Sequence, residues 1–115
     1  MAGRASKAKG SAAERAVVSW LREQGFQYAE RGLAGATADT GDIVGVIPGL
    51  CIEVKNQARL DLAGWIDELE LEMANLNAWS GVLIHKKRGT TDVGEWYATM
   101  PARVWLELIK EVDSW

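Results

Sequence analysis

Two carboxylates and one ammonium lie close together in this sequence and suit phosphate chemistry. Asp42 opens a segment of β-branched residues, and Glu53 and Lys55 follow in the next apolar segment, with Pro48-Gly49 between the two. Pro-Gly is a turn signal. The second segment alternates in polarity, as a half-buried strand does, so Glu53 and Lys55 share a face. The two segments therefore predict a β-hairpin.

The register of this hairpin decides whether the three groups converge. A turn centred on Pro48-Gly49 places Asp42 opposite Lys55, and Glu53 then lies diagonal to Asp42. Opposed residues share a face of the sheet, so all three side chains gather on one side. A slip of one residue would send Asp42 to the other face, so this prediction depends on the register.

Paired carboxylates beside an ammonium favour metal-assisted hydrolysis of a phosphodiester. Two nearby carboxylates repel each other unless a cation neutralises them. Hard oxygen ligands suit Mg²⁺, which binds through one or two carboxylates and keeps several waters. A neighbouring lysine orients the attacking water and stabilises charge on the phosphate. The alternative is a surface hairpin with ordinary cross-strand salt bridges, and the spacing fits both equally.

The surrounding elements predict a single α/β domain. Apolar stripes predict helices at residues 11–24 and 62–76, and strands are expected at residues 26–31, 81–86 and 95–100. Pro101 fits the first position of a last helix that ends near residue 112. The order α-β-β-β-α-β-β-α predicts a mixed β-sheet flanked by helices. We expect a disordered basic tail at residues 1–10 and a single domain at residues 11–115. Within the domain, residues 32–41 are expected to form a flexible loop beside the site.

The order of the acidic and basic residues resembles the restriction-endonuclease-like nucleases, and most closely the archaeal-type Holliday junction resolvases. The matching segments are a helix with Glu14, the run Gly41-Asp42-Ile43-Val44-Gly45 and the run Ile52-Glu53-Val54-Lys55. Later strand-like segments at residues 81–84 and 96–97 extend the similarity over most of the chain. The usual family motif has Pro before the Asp, where this chain has Gly41.

The resemblance implies a restriction-endonuclease-like fold and a Mg²⁺-dependent endonuclease, with Mn²⁺ as an alternative ion. Its substrate would be branched DNA, a four-way junction that a homodimer cuts by paired symmetric nicks. Asp42 and Glu53 would hold the metal, with the Val54 carbonyl as a third ligand. Lys55 would position the attacking water, and Glu14 would assist through water or a second metal.

Glu14 also has a purely structural interpretation. Ser11 stands three residues before it, which is the spacing of a capping box at a helix N-terminus. A glutamate that folds back onto the cap cannot also reach a metal. The sequence therefore leaves both roles of Glu14 open.

Charge is unevenly distributed along this acidic chain, whose formal net charge is −3. Segregated charge lets an acidic protein present a basic face to DNA. The expected phosphate contacts are Arg31, Arg59, Lys86, Lys87 and Arg88. Residues 61–72 carry five acidic side chains and no base, so their helix is expected away from the DNA or against a second subunit. The alternative interpretation of this charge distribution is a solvated helix and polar loops that do not bind DNA.

A dimer contact is expected on apolar helix faces. Leu62, Ile66, Leu69 and Met73 form a stripe on the acidic helix that either covers the sheet or joins two subunits. The final helix offers Trp105 and Leu108 as a second candidate surface. Trp65 is assigned to the core in preference to base stacking, and the single histidine, His85, to a structural role.

Composition excludes several other classes of protein. No stretch is long and apolar enough to span a bilayer, and the N-terminus lacks the apolar segment of a signal peptide. The single Cys51 excludes an intramolecular disulfide and a cysteine-based zinc site, which favours the cytoplasm, with a phage acting in its host as one option. The rival functions are a nicking or repair endonuclease, a non-catalytic DNA-binding protein of the same fold, and a protein-interaction module.

Overall fold

The computed structural model describes residues 2–32 and 41–114, with side chains from residue 7 onward. The elements are α1 (Ala2–Glu23), β1 (Glu30–Arg31), β2 (Ile43–Val44), β3 (Leu50–Lys55), α2 (Leu62–Leu76), β4 (Ser80–His85), β5 (Tyr97–Thr99) and α3 (Ala102–Asp113), with a 3₁₀ turn at Val93–Glu95. This order of helices and strands confirms the predicted one. Most of the loop predicted at residues 32–41 lies outside the described residues.

The five described strands form one mixed sheet in the order β1-β2-β3-β4-β5. Only β3 and β4 pair in parallel, and the other neighbours are antiparallel. A parallel pair needs a long crossover connection, which α2 supplies here. The predicted mixed sheet flanked by helices is therefore confirmed.

Strand β3 lies between two apolar layers because its side chains alternate. Ile52 and Val54 face α1, where they join Val17 and Leu21. Cys51 points to the opposite face, which α2 covers. The faces of β3 are those predicted, so Glu53 and Lys55 lie on the α2 side of the sheet.

The apolar stripe of α2 is used within the domain. Leu69 is fully buried, and Ile66 and Met73 pack against the same core cluster on the sheet. Of the predicted stripe, only Leu62 is substantially exposed. Of the two roles predicted for this stripe, covering the sheet is confirmed, and Ile66, Leu69 and Met73 are therefore not available as a subunit contact. An ion pair of 2.9 Å between Arg103 and Glu70 ties α3 to α2.

Helix α1 begins at Ala2, and the predicted start at Ser11 is wrong. Residues 2–10 are rich in alanine and lysine, which favour helix, so the helix continues through them. The helix ends where predicted, because the Phe26 N–H donates to the Leu21 carbonyl at 3.0 Å around Gly25. A separate role for residues 1–10 stays a prediction. No described helix, α1 included, is long and apolar enough to cross a membrane.

The register of the β2–β3 hairpin differs from the predicted one by two residues. Ile43 pairs with Ile52, so Asp42 lies opposite Glu53 and not opposite Lys55. The difference arises because residues 45–47 bend out of the strand, where Gly45 approaches the Tyr28 carbonyl too closely for any side chain. A shift of two residues preserves the face of each side chain. Asp42 therefore stays on the side of Glu53.

Candidate functional site

A cleft of about 240 Å³ at the end of β3 brings the four predicted catalytic residues together. It is lined by Gly10, Glu14, Asp42, Glu53, Val54, Lys55, Asn56, Gln57, Glu68 and Glu72. Helix α1 contributes Glu14, the hairpin contributes Asp42, Glu53 and Lys55, and α2 contributes the last two carboxylates. We call this the acidic cleft. The roles of its residues in catalysis stay predictions.

The Asp42 side chain is fixed against β3 by a hydrogen bond from the backbone of that strand. The Val54 N–H donates to Asp42 Oδ2 at 2.8 Å, and the Asp42 N–H donates to the Ile52 carbonyl at 2.8 Å. The carboxylate thus takes the place of the next backbone acceptor in the ladder. Because the N–H and C=O of one strand residue point to the same edge, the Val54 carbonyl also faces the Asp42 side.

Two carboxylates of the acidic cleft are buried. Glu53 is 2% exposed and Glu72 is 5% exposed. Buried carboxylates are neutralised by a cation or a proton, because desolvation of an isolated charge is costly. The described residues contain no cluster of three His, Cys, Asp or Glu side chains arranged to hold a metal ion. Mg²⁺ binds through one or two carboxylates and retains water, so Asp42 and Glu53 with the Val54 carbonyl fit this ion.

Lys55 is held at the rim of the acidic cleft by a residue that sequence analysis missed. Its Nζ lies 2.6 Å from Glu68 Oε2, and its side chain is 16% exposed. Burial alone would lower the pKa of Lys55, but the hydrogen bond and charge of Glu68, with the charges of Glu53 and Asp42, raise it above its ordinary value. Lys55 is therefore an ammonium at neutral pH, suited to orienting water and to stabilising negative charge.

Glu14 is not part of a capping box. Ser11 lies inside α1, and its hydroxyl accepts a hydrogen bond from Arg31 Nη2 at 3.1 Å. Arg31 Nε lies 3.2 Å from Glu14 Oε1, so the carboxylate is paired across to β1. The capping hypothesis is wrong because the helix extends past Ser11. Glu14 lines the acidic cleft, and its role in catalysis stays a prediction.

Glu68 and Glu72 place the acidic helix α2 at the site, and the prediction that this helix lies away from the DNA or against a second subunit stays a prediction. Both line the acidic cleft. A signal for this exists in the sequence, since Trp65, Leu69 and Glu72 follow the spacing of one buried helix face. A glutamate at a buried position of such a stripe indicates a polar site beneath the helix.

The predicted DNA-contacting cations fall on different surfaces. Lys86, Lys87 and Arg88 line a second cleft of about 400 Å³ that adjoins the acidic cleft at Lys55. Arg31 lines a third cleft, of about 660 Å³, together with Arg15 and Arg22 of α1. Arg59 is exposed in the connection between β3 and α2. Cationic surfaces therefore lie on both the α1 side and the β4 side of the molecule.

Comparison with known proteins identifies the family of this chain. The family model described as archaeal Holliday junction resolvase matches residues 5–74, which is more than half of the chain. The chain belongs to the archaeal Holliday junction resolvase family. No match was found among curated proteins or among solved structures. The family lies within the restriction-endonuclease-like nucleases, with which the mixed sheet and its three described helices agree.

Family membership makes this protein a nuclease of the Holliday junction resolvase type, whose family acts on branched DNA and typically needs a divalent metal ion. The matched segment contains Glu14, Asp42, Glu53 and Lys55, together with Glu68 and Glu72 of α2. It ends before β4. Lys86, Lys87 and Arg88 are thus outside the match.

Proposed function

We propose that this protein is a Mg²⁺-dependent endonuclease that resolves four-way DNA junctions by paired symmetric nicks as a homodimer. One observation carries the proposal. Glu14, Asp42, Glu53 and Lys55 come from α1 and the hairpin, and they line a single cleft at the end of β3. A surface hairpin with ordinary salt bridges would not require a glutamate from a separate helix.

Asp42, Glu53 and the Val54 carbonyl would hold the metal. The fit rests on the hard oxygen donors and on the hydrogen bond from the Val54 N–H, which fixes the Asp42 carboxylate at 2.8 Å. Bound Mg²⁺ supplies a Lewis acid for the phosphate oxygens and lowers the pKa of a coordinated water. Glu53 is buried, so its carboxylate is shielded from bulk solvent.

Lys55 orients the attacking water and stabilises the charge that develops on the phosphate. It does so as a cation, because its pKa is raised by Glu68 and by the two carboxylates beside it. Glu68 holds the ammonium at 2.6 Å and so restricts its position before substrate arrives. Glu14, which reaches the cleft from α1, would assist the attacking water or a second metal.

Phosphates flanking the cut site would contact the cationic surfaces. Lys86, Lys87 and Arg88 extend from the end of β4 next to Lys55. Arg31 and Arg59 lie at β1 and after β3. Such contacts bind DNA of any sequence and weaken with salt.

The dimer contact is proposed on α3. Trp105, Ile109 and Val112 are 53%, 44% and 47% exposed and repeat at the spacing of one helix face. Exposed apolar faces of this kind mark interaction surfaces. An isologous contact through α3 relates two copies by a two-fold axis, as a four-way junction relates its opposing strands.

Cleavage of four-way, three-way, nicked and linear duplex DNA, with Mg²⁺ or with EDTA, tests the activity. The four-way junction should be cut only with the metal, and Asp42→Asn, Glu53→Gln and Lys55→Ala should each abolish cutting. Asn retains an oxygen that accepts the Val54 N–H, so Asp42→Asn should fold normally. Asp67→Asn changes an exposed carboxylate of α2 and is the matched control. Near-normal turnover in any of the three variants contradicts the site.

Sedimentation tests the dimer. The free protein should sediment at about twice its chain mass of 12.6 kDa, and Ile109→Glu should convert it to a folded monomer. A cruciform plasmid should be linearised by two nicks within one binding event. A stable monomer that releases singly nicked plasmid as its main product would rule out paired cutting and favour a nicking enzyme.

A further inference from the structure

A second cleft, of about 400 Å³, opens beside the acidic cleft and shares Lys55 and Gln57 with it. Its lining residues are Lys55, Gln57, Ala58, Leu60, Trp65, His85, Lys86, Lys87, Arg88 and Tyr97. Pockets that hold small ligands run from about 300 to 1,000 Å³, so this cleft is large enough for a small ligand such as one nucleotide. We call it the aromatic cleft.

The aromatic wall of this cleft is a row of three rings, each tilted against the next by 45° or 56°. Tyr97 is half-exposed, and its ring centroid lies 5.2 Å from that of His85. His85 in turn lies 5.7 Å from the buried Trp65, and its Nε2 is 3.1 Å from the Thr99 hydroxyl. Burial lowers the pKa of His85, so the ring is neutral at physiological pH. The Tyr97 ring thus packs against His85 on one side and is accessible to solvent on the other.

The charge of the aromatic cleft is opposite to that of its neighbour. Four of its ten described lining residues are cationic and none is acidic, whereas the acidic cleft has five carboxylates and one lysine. Lys87 and Arg88 are exposed and line the same cleft as Tyr97. A flat ring with cations around it is the combination by which proteins bind the base and phosphates of single-stranded nucleic acid.

We propose that the aromatic cleft is a subsite for one unstacked nucleotide of the DNA strand, next to the phosphate that is cut. Its base stacks on Tyr97, and its phosphates contact Lys87 and Arg88. This inference rests on the proposed function, because Lys55 places the subsite beside the cut phosphate. Bases inside a duplex are stacked on both sides and cannot reach Tyr97. The subsite therefore selects branched DNA over intact duplex.

Fluorescence of 2-aminopurine tests the subsite. The base analogue is placed at the branch point of a four-way junction, in a short single-stranded oligonucleotide, and inside a linear duplex, all in EDTA so that no cleavage occurs. Tyr97→Leu keeps an apolar side chain against His85 but removes the flat ring. Tyr97→Phe keeps the ring, and Tyr28→Leu changes a tyrosine that is 76% exposed outside the cleft.

Tyr97→Leu should weaken binding of the junction and of the oligonucleotide roughly 5- to 150-fold and abolish the quenching of 2-aminopurine. Duplex binding should not change. Tyr97→Phe and Tyr28→Leu should behave as the unaltered protein does. Lys87→Ala should weaken binding to all three DNAs and reduce the salt slope by about 0.9 on the junction and the duplex and by about 0.7 on the oligonucleotide.

Two outcomes separate this inference from the proposed function. If Tyr97→Leu binds and quenches as the unaltered protein does, the subsite is overturned, while metal-dependent cutting of the junction still supports the nuclease. If Tyr97-dependent quenching occurs on the oligonucleotide but no junction is cut, the subsite stands and the resolvase activity fails.

Discussion

Gly41 sets the backbone path into Asp42, and its substitution gives a sharp test of the site. Its φ is +99°, a region that side-chain-bearing residues rarely adopt. A Cβ at this position would lie 3.2 Å from both Cys51 Sγ and the Ile52 carbonyl oxygen. The family's usual Pro requires φ near −65°, so Gly41→Pro would not restore the motif here but would break the turn.

The loss of stability on substitution of Gly41 follows from its positive φ and from the close contacts of an added Cβ. Left-handed backbone costs a residue with a side chain about 1–2 kcal/mol, and crowding in a packed region adds about 1–3 kcal/mol. We therefore expect Gly41→Ala to lower the free energy of unfolding by about 2–5 kcal/mol, and Gly41→Pro by more. Gly25 has φ of +106° but nothing within 4 Å of its Cβ position, so Gly25→Ala should lose only about 1–2 kcal/mol.

Urea unfolding followed by circular dichroism measures these differences. Gly10→Ala, in the interior of α1 with open space around it, should raise stability by about 0.5–1 kcal/mol and serves as the control of opposite sign. Junction cleavage by Gly41→Ala should fall further than that by Gly25→Ala under conditions where both are folded, because Asp42 is displaced. Equal stability and equal cleavage in the two variants would refute the reasoning.

Three further predictions concern the charged groups. Glu14→Gln should lose most cleavage with little change in melting temperature, since its partly exposed pair with Arg31 contributes under about 1 kcal/mol; normal kinetics would return Glu14 to a structural role. Deleting residues 1–10 removes three cations, so junction affinity should fall and the slope of log K against log salt should become shallower by up to about 0.9 per lost contact; an unchanged slope would show that the segment makes no phosphate contacts. Glu68→Gln should lower the free energy of unfolding by about 0.2–1 kcal/mol at neutral pH. The pKa of Lys55 is raised in the folded protein, so its ion pair with Glu68 stabilises the fold at pH values below 10.5, the pKa of the unfolded lysine. That difference should disappear as the pH rises through the folded pKa of Lys55, and unfolding at pH 7 and at high pH would measure it.

Local sequence pattern was sufficient for the order of elements and for the faces of β3. Ile52 and Val54 alternate with Cys51 and Glu53, and a period of two fixes their faces whatever the neighbouring strand does. Turn and cap residues act through their own backbone, so Gly25 marks the end of α1 correctly. The four residues with catalytic potential could be named on these grounds and from their resemblance to a family.

The register of the hairpin could not be predicted from the turn alone. It depends on residues 45–47, which bend away because Gly45 meets the carbonyl of Tyr28, a contact with a distant segment. The start of α1 was missed because composition suggested disorder, while alanine and lysine favour helix. Each error gave a site residue the wrong partner. The register error placed Lys55 opposite Asp42, and the error in the helix start paired Glu14 with a helix cap.

By itself the sequence determined which side chains are able to take part in catalysis. It also determined on which face of its own strand or helix each of them lies, because that face depends on residues a few positions away. Only the tertiary structure decided that α2 turns Glu68 toward Lys55 and Glu72 into the acidic cleft. It also decided that Tyr97 lies against His85 beside that cleft. These contacts join segments remote in the chain, and the packing of helices on a sheet sets them.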